Sequence, residues 1–235
     1  MRAEPLVLLP GMGCTPALWS RLALPGTVVT PVLQEPSVDA EVTRLLDMLP
    51  GRFALAGLSL GAIVAMALVR RAPGRVSRLA LLSTNPYGPT DAQRQGWAAQ
   101  REVLRTGSAR ELQASLVPLL LSPDRDDLMP LTLDMADETG EPTYDAQLRL
   151  QATRVDERPG LTQVRCPTLV VASRDDRLCP VERHEEIARL VPGAELVVLE
   201  SCAHLSPLER PDELSAHLDR WLSLNPKRSL PDLGS

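Results

Sequence analysis

The sequence predicts an α/β fold, with a mostly parallel sheet of about six strands, helices on both faces and an inserted helical lid. Short, fully apolar runs alternate along the chain with segments of helical periodicity. Such runs are typical of parallel strands that are buried on both faces. One long stretch between the fourth and fifth runs has helical periodicity and no convincing strand, which predicts the lid.

Turn residues set the limits of each predicted element. The apolar runs predict strands at residues 6–9, 28–30, 53–56, 79–82, 168–171 and 196–199. The periodic segments that follow several of them predict helices at residues 39–49, 62–72, 181–190 and 211–222. Ser37 or Asp39 caps the first of these helices and Pro50 stops it. The second helix is apolar nearly all round, so we expect it to be buried.

Composition limits the classes of protein that this chain can belong to. It has 235 residues, 44% of them apolar, which suffices for one sizeable domain. The net charge of −5 without a basic run, together with 3% aromatic residues, argues against a nucleic-acid partner. No apolar run is long enough for a membrane span or a signal peptide, so we expect a cytoplasmic protein with no membrane partner. The sequence leaves the oligomeric state open.

The cysteines and histidines favour neither a metal site nor a cofactor. Four cysteines are scattered along the chain without a C-x-x-C pair, and the three histidines are widely spread. A structural zinc site needs closely spaced ligands of these types. We therefore expect reduced thiols, no metal and no cofactor.

We divide the chain into an α/β core (1–90 and 159–224), a lid segment (91–158) and a loose tail (225–235). The lid segment has 13 acidic and 8 basic residues, and its net charge of −5 equals that of the whole chain. An acidic surface repels large polyanions. The lid segment therefore disfavours coenzyme A and carrier-protein thioesters as substrates.

Ser59 is the candidate nucleophile. It lies in Gly57-Leu58-Ser59-Leu60-Gly61, directly after a predicted strand and directly before a predicted helix. A sharp turn of this kind exposes the serine hydroxyl above the sheet, and flanking glycines are needed where side chains would collide with neighbouring backbone. The alternative is a glycine-rich turn with a serine that caps the helix.

An activated serine needs a histidine base that a carboxylate orients. His204 follows the sixth strand, and the carboxyl ends of parallel strands are where such sheets place reactive groups. His184 lies beside two glutamates, which predicts a solvated helix face, and His217 lies within the last helix. Asp175 and Asp176 follow the fifth strand, and both are candidates for the carboxylate; either could instead shape the turn.

Two backbone N–H groups are needed to stabilise the oxyanion of an acyl-transfer reaction. Leu60, the residue after the candidate nucleophile, supplies the first. The loop after the first strand, residues 10–14, is the candidate source of the second, because its two glycines let the backbone approach a ligand closely.

Together these segments resemble the α/β-hydrolase superfamily, over nearly the whole chain from residue 6 to residue 222. The resemblance is greatest to small, lid-bearing serine carboxylesterases of the pimeloyl-carrier-protein methyl esterase and enol-lactone hydrolase group. It implies that Asp176, four residues before a proline, is the acid and that Met12 gives the second oxyanion N–H. Glu209 and Pro211 after His204 also match the family pattern.

The chain departs from that pattern without losing a catalytic group. Pro10 stands where the family commonly has histidine, and Ser173 replaces a usual glycine. Leu58 replaces the frequent histidine before the nucleophile, and the family's first two strands have no counterpart before residue 6. These departures leave the subfamily open.

The resemblance implies hydrolysis of a small-molecule carboxylic ester by Ser-His-Asp acyl transfer. The alternatives are a thioesterase, an amidase or peptidase, a lyase with the same triad, or a non-catalytic binding module. Substrate choice would come from the lid segment, where Trp97, Leu116 and Met129 are candidates for an apolar acyl pocket. These side chains could instead simply pack the lid helices together.

Overall fold

The computed structural model describes residues 4–225, in which six strands form one parallel sheet. The strands are β1 (Leu6–Leu9), β2 (Val28–Val29), β3 (Phe53–Leu58), β4 (Val76–Leu82), β5 (Thr168–Ser173) and β6 (Glu195–Leu199). Their order across the sheet is β2-β1-β3-β4-β5-β6, and all five neighbouring pairs are parallel. The predicted fold class is confirmed.

Helices connect most of the strands, and the four helices whose limits were predicted lie within two residues of those limits. They are α1 (Val38–Met48), α2 (Leu60–Arg71), α3 (Asp91–Thr106), α4 (Ala109–Leu120), α5 (Met129–Thr153), α6 (Arg158–Leu161), α7 (Val181–Leu190), α8 (Ser206–Glu209) and α9 (Pro211–Ser223). Of the two predicted caps for α1, Ser37 is the one used, since its hydroxyl accepts the Ala40 N–H at 3.2 Å. Three short 3₁₀ turns lie at Pro16–Trp19, Pro73–Arg75 and Asp126–Leu128.

The sheet divides the core into two apolar layers. Successive side chains of a strand point to opposite faces, so Val7 and Leu9 enter one layer while Leu6 and Leu8 enter the other. Helices α1, α2 and α7 cover the first layer, and α9 covers the second. Burial on both faces explains why the strands read as continuous apolar runs.

Two glycines allow α2 to pack directly against the ends of β1 and β3. A Cβ atom on Gly61 would lie 2.1 Å from the carbonyl oxygen of Leu9, and one on Gly57 would lie 2.4 Å from that of Gly61. Both contacts are with backbone, which cannot move aside as a flexible side chain can. The Gly-x-Ser-x-Gly spacing is therefore a steric requirement of this turn, which holds Ser59 at the carboxyl edge of the sheet.

Between β4 and β5 the lid segment contains α3, α4 and α5. Helix α5 is broken at Gly140, whose φ of 70° and ψ of 159° are not helical. The Gln147 side chain ties α5 to the core, because its amide nitrogen donates to the Leu33 carbonyl and its oxygen accepts the Gly13 N–H, both at 2.8 Å. The division into core and lid segment stays a prediction.

Nothing within residues 4–225 has the length and apolarity of a membrane-crossing helix. The predicted loose tail, apart from Asn225, lies outside the described residues.

Candidate active site

Ser59 sits in the tight turn between β3 and α2. Its φ of 54° and ψ of −113° belong to a region that residues other than glycine rarely adopt. The Ser59 N–H donates to the Leu82 carbonyl at 2.9 Å, and the Thr84 hydroxyl donates to the Ser59 carbonyl at 3.3 Å. The Ser59 side chain makes no capping hydrogen bond to α2. The structure therefore does not support the alternative of a serine that simply caps the helix.

His204 and Asp176 form a buried hydrogen-bonded pair. Their side chains join through His204 Nδ1 and Asp176 Oδ2 at 2.8 Å, and the two residues are only 3% and 4% exposed. The other oxygen, Asp176 Oδ1, accepts the N–H groups of Leu178 and Cys179, each at 2.9 Å. Asp175, the other candidate acid, is exposed.

The surroundings of Asp176 favour its ionised form. Burial alone would raise the pKa of this carboxyl group, but His204 and the two backbone N–H donors outweigh burial and hold the pKa below its usual range. An ionised Asp176 accepts from Nδ1–H of the imidazole, and this leaves Nε2 as the basic nitrogen. The pair is thereby prepared to take a proton at Nε2.

Glu209 supports the loop that carries His204. Its carboxylate accepts the Ala203 N–H at 3.1 Å and also accepts the N–H and hydroxyl of Ser122, at 3.0 and 2.5 Å. Ser122 follows α4, so one buried carboxylate connects the histidine loop with the lid segment. The match of Glu209 to the family pattern thus corresponds to a positioning contact.

Ser59 and His204 line one cavity with a volume of about 250 Å³. Trp97 and Leu116, two of the candidate pocket residues, also line it. The prediction that Met129 does so is wrong, since it is 37% exposed. Met129 is the first residue of α5, and the buried side chains of this helix begin only at Thr132.

The loop after β1 borders the cavity through Gly11 and Met12. Gly13 has a φ of 65°, and a Cβ atom there would lie 2.6 Å from the Tyr144 ring. Among residues 4–225, no hydrogen bond takes the N–H of Met12 or of Leu60. Leu60 is the first residue of α2, where N–H groups have no partner inside the helix. Within the described residues both predicted oxyanion donors therefore lack an acceptor, and Met12 also lines the cavity; their role stays a prediction.

His184 is buried, which corrects the prediction of a solvated face. Its Nε2 accepts the Thr84 N–H at 2.9 Å, while Nδ1 lies 3.2 Å from the Pro180 carbonyl. The neutral tautomer with a proton on Nδ1 satisfies both contacts. Glu185 lies on the exposed side of the same helix, so the adjacent charges did not reveal which way the histidine points.

We expect His184 to make the protein less stable in mild acid. Burial lowers its pKa from 6.5 to about 4; Pro180 and Asp176 act against this, and His204 acts with it. Between these values the unfolded chain binds a proton that the folded chain does not, so the free energy of unfolding decreases as the pH falls, by up to about 3 kcal/mol. Denaturant unfolding from pH 7 to pH 4 measures this.

The control for that experiment is the matched pair His184→Gln and His217→Gln. His184→Gln should lower stability at pH 7 but flatten its decrease towards pH 4, whereas His217→Gln should keep the wild-type slope. Equal slopes for all three proteins would contradict the assignment to His184.

One cluster in the described part of the chain offers three metal-ligand types. The ligand atoms of Asp176, Cys179 and His204 all lie within 4.8 Å of one another. Both Asp176 oxygens already accept hydrogen bonds, and burial raises the pKa of the Cys179 thiol far above its usual range. A metal would need this thiol deprotonated. The cluster therefore suits a hydrogen-bonded acid–base pair better than a cation, and the absence of a metal cofactor stays a prediction.

Sequence reasoning missed the polar side of the cavity. Five polar side chains of the lid segment line it in addition to Trp97 and Leu116. They are Gln93, Gln100, Gln113, Gln151 and Arg154. On a helix such residues normally face solvent, and the sequence holds no signal that these turn inward.

A parallel sheet whose strand-to-helix turn carries a strained serine, beside a buried histidine–aspartate pair, defines an α/β hydrolase. The model of the alpha/beta hydrolase fold family matches residues 9–211. The chain belongs to this family, and the predicted resemblance is confirmed.

Curated relatives extend this result. A protein of Aromatoleum aromaticum is named pimeloyl-[acyl-carrier protein] methyl ester esterase. It is 29% identical over an alignment of 247 positions, which covers 93% of this chain and 98% of that protein. A protein of the same name from Nitrosomonas europaea is 29% identical over 78% of this chain and 76% of its own. These names agree with the predicted class of enzyme, an ester hydrolase.

Solved structures share the fold at lower sequence identity. The enol-lactonase of Burkholderia xenovorans LB400 superposes with a TM-score of 0.83 at 22% identity, over 95% of this chain and 93% of its own. MenH from S. aureus superposes with a TM-score of 0.85 at 20% identity, over 94% of each chain. The full length of the described chain therefore follows one known architecture.

Proposed function

We propose that this protein is a serine hydrolase that cleaves a small-molecule carboxylic ester, with Ser59 as nucleophile, His204 as base and Asp176 as the orienting acid. The observation that carries the proposal is the buried 2.8 Å contact between His204 and Asp176, in a cavity that Ser59 also lines. A strained serine conformation is retained only where the surrounding structure enforces it, and such strain clusters at functional sites.

The first chemical step transfers the acyl group to the enzyme. His204 Nε2 takes the Ser59 proton as Oγ attacks the ester carbonyl carbon. The N–H groups of Met12 and Leu60 stabilise the oxyanion that forms, and each such donor is worth about 3–4 kcal/mol in comparable sites. The intermediate collapses when the imidazolium gives its proton to the departing alkoxide, which leaves as the alcohol.

The second step releases the acid. His204 removes a proton from water, the resulting hydroxide attacks the acyl-enzyme carbonyl, and the Ser59 oxygen leaves with the proton that His204 returns. Asp176 stays ionised throughout and stabilises the imidazolium in both steps. No group beyond these side chains and water is required.

The ester substrate is either a free small molecule or an ester linked to a carrier protein. The cavity volume of about 250 Å³ and the acidic lid segment favour a free small ester. The relatives, in contrast, are named for a carrier-protein-linked methyl ester. Measuring methanol release from one methyl ester, presented free and on a carrier protein, separates the two; we expect faster turnover of the free ester.

A fluorophosphonate probe tests the proposal directly. An activated serine forms a covalent adduct with such a probe, whereas a binding module with the same fold does not. We expect one adduct per chain, on the peptide that contains Ser59, and loss of labelling after the protein is unfolded. Labelling of a different serine, or none in the folded protein, would refute the assignment; mass spectrometry of the digested protein reads it out.

A further inference from the structure

Arg154 lies buried at the end of α5 and lines the same cavity as Ser59. It is 6% exposed. Its Nη1 donates to Gln151 Oε1 at 3.1 Å and its Nη2 donates to Gln93 Oε1 at 2.9 Å. The guanidinium carbon also lies 5.1 Å from the centre of the Trp97 ring. All three of these neighbours are neutral.

Among the described residues, no carboxylate compensates this charge. Across residues 4–225, the ion pairs include no partner for Arg154, and its buried Nε has no hydrogen-bond acceptor. Burial lowers the pKa of the guanidinium; Cys179 acts against this, and nearby Arg94 acts in the same direction as burial. Arginine is almost never fully buried without a partner, because the desolvation of its charge is costly. An anionic partner is therefore missing from the described chain.

The cavity itself has the composition of a site for one anion. Its lining includes Arg154 but no aspartate or glutamate among the described residues. Two further polar atoms of lining residues are buried without partners: Gln113 Nε2, a donor, and Gln100 Oε1, an acceptor that would not bind an anion. The Gln113 amide is a hydrogen-bond donor that a carboxylate oxygen could accept from.

We propose that Arg154 binds a free carboxylate of the substrate, so that the enzyme prefers monoesters of dicarboxylic acids over neutral esters. This inference rests on the proposed ester hydrolysis and specifies its substrate class. A guanidinium fork matches the two oxygens of a carboxylate. The single cation suits a single negative charge, while the acidic lid segment repels large polyanions before they reach it.

Paired substrates test this preference. The monomethyl esters of dicarboxylic acids with about four to eight carbons are compared with methyl esters in which an amide replaces the free carboxylate. For the best pair, we expect the wild-type kcat/KM to be about 10- to 100-fold higher for the monoester with the free carboxylate than for its amide counterpart. The reason is that charge-assisted hydrogen bonds are roughly twice as strong as neutral ones. In Arg154→Gln this ratio should fall to about one.

A matched variant separates local from general charge effects. Arg149→Gln removes an equal charge from an exposed side chain of α5 that pairs with Asp145 outside the cavity. The acid-to-amide ratio should stay at the wild-type value in Arg149→Gln. An equal fall in both variants, or no preference in the wild type, would overturn the role of Arg154.

A binding measurement keeps the test decisive if Arg154→Gln does not fold or if no ester of the series turns over. In Ser59→Ala, which retains Arg154, calorimetry should show the acid monoester binding at least about tenfold more tightly than its amide partner. Equal affinities overturn the inference. The proposed function fails separately, through absent fluorophosphonate labelling, so the two failures can be distinguished.

Discussion

Ser59→Ala should reduce kcat on a p-nitrophenyl ester by at least about a thousandfold while the protein stays folded. The substitution removes only the attacking oxygen. Alanine keeps a Cβ atom and therefore the strained backbone at φ 54°, so the stability of the turn changes little. Steady-state kinetics give the loss of turnover, and thermal unfolding monitored by circular dichroism shows whether the fold is retained.

Ser83 offers a matched control for this substitution. It is also a serine at positive φ, 46°, in the loop after β4, and it is buried. Ser83→Ala should lose no more than a few-fold in kcat. Turnover that survives Ser59→Ala at the wild-type level would end the proposal of a serine nucleophile.

Asp176→Asn should cost on the order of a thousandfold in kcat, while Asp175→Asn costs about twofold or less. An asparagine at 176 can still accept from Leu178 and Cys179 through its oxygen, but it then presents NH₂ to His204 Nδ1. This forces the imidazole into the tautomer whose Nε2 carries the proton and cannot act as base. Asp175 is exposed, so its side-chain charge has no such influence.

The pH dependence of kcat/KM adds a second readout to this comparison. Asp175→Asn should keep the pH profile of the wild-type protein. Asp176→Asn should recover part of its activity only at high pH, where hydroxide replaces the missing base. A severe loss in Asp175→Asn with a mild one in Asp176→Asn would transfer the acid role to Asp175.

Local patterns in the sequence were enough to predict the sheet and the segments that carry the candidate site. Apolar runs on both sides of Ser59 mark a buried strand and a buried helix, and the close approach of backbone at Gly57 and Gly61 leaves a visible spacing. The contact between His204 and Asp176 follows from the parallel sheet, which brings the ends of β5 and β6 to one edge. Choosing Asp176 over Asp175 needed the family resemblance, because both follow the same strand.

Contacts between distant segments were beyond local patterns. His184 is followed by two glutamates and yet bonds to the backbone of Thr84, a hundred residues earlier. Met129 is apolar and faces outward, while Arg154 is charged and faces inward. In each case the packing of whole helices decides whether the side chain is buried or exposed, and its hydrophobicity or charge alone predicts the opposite.

The two hydrogen bonds of Gln147 have a consequence for protein engineering. Replacing residues 91–158 with the corresponding part of a relative would exchange the predicted lid, but it would also remove the acceptor for the Gly13 N–H. The glycine turn after β1 would then lose its hydrogen bond to α5, and Leu33 would lose the donor to its carbonyl. A functional chimera of this enzyme must therefore have an amide side chain at the position of Gln147. Otherwise, the loop after β1 must be redesigned to fit the replaced segment.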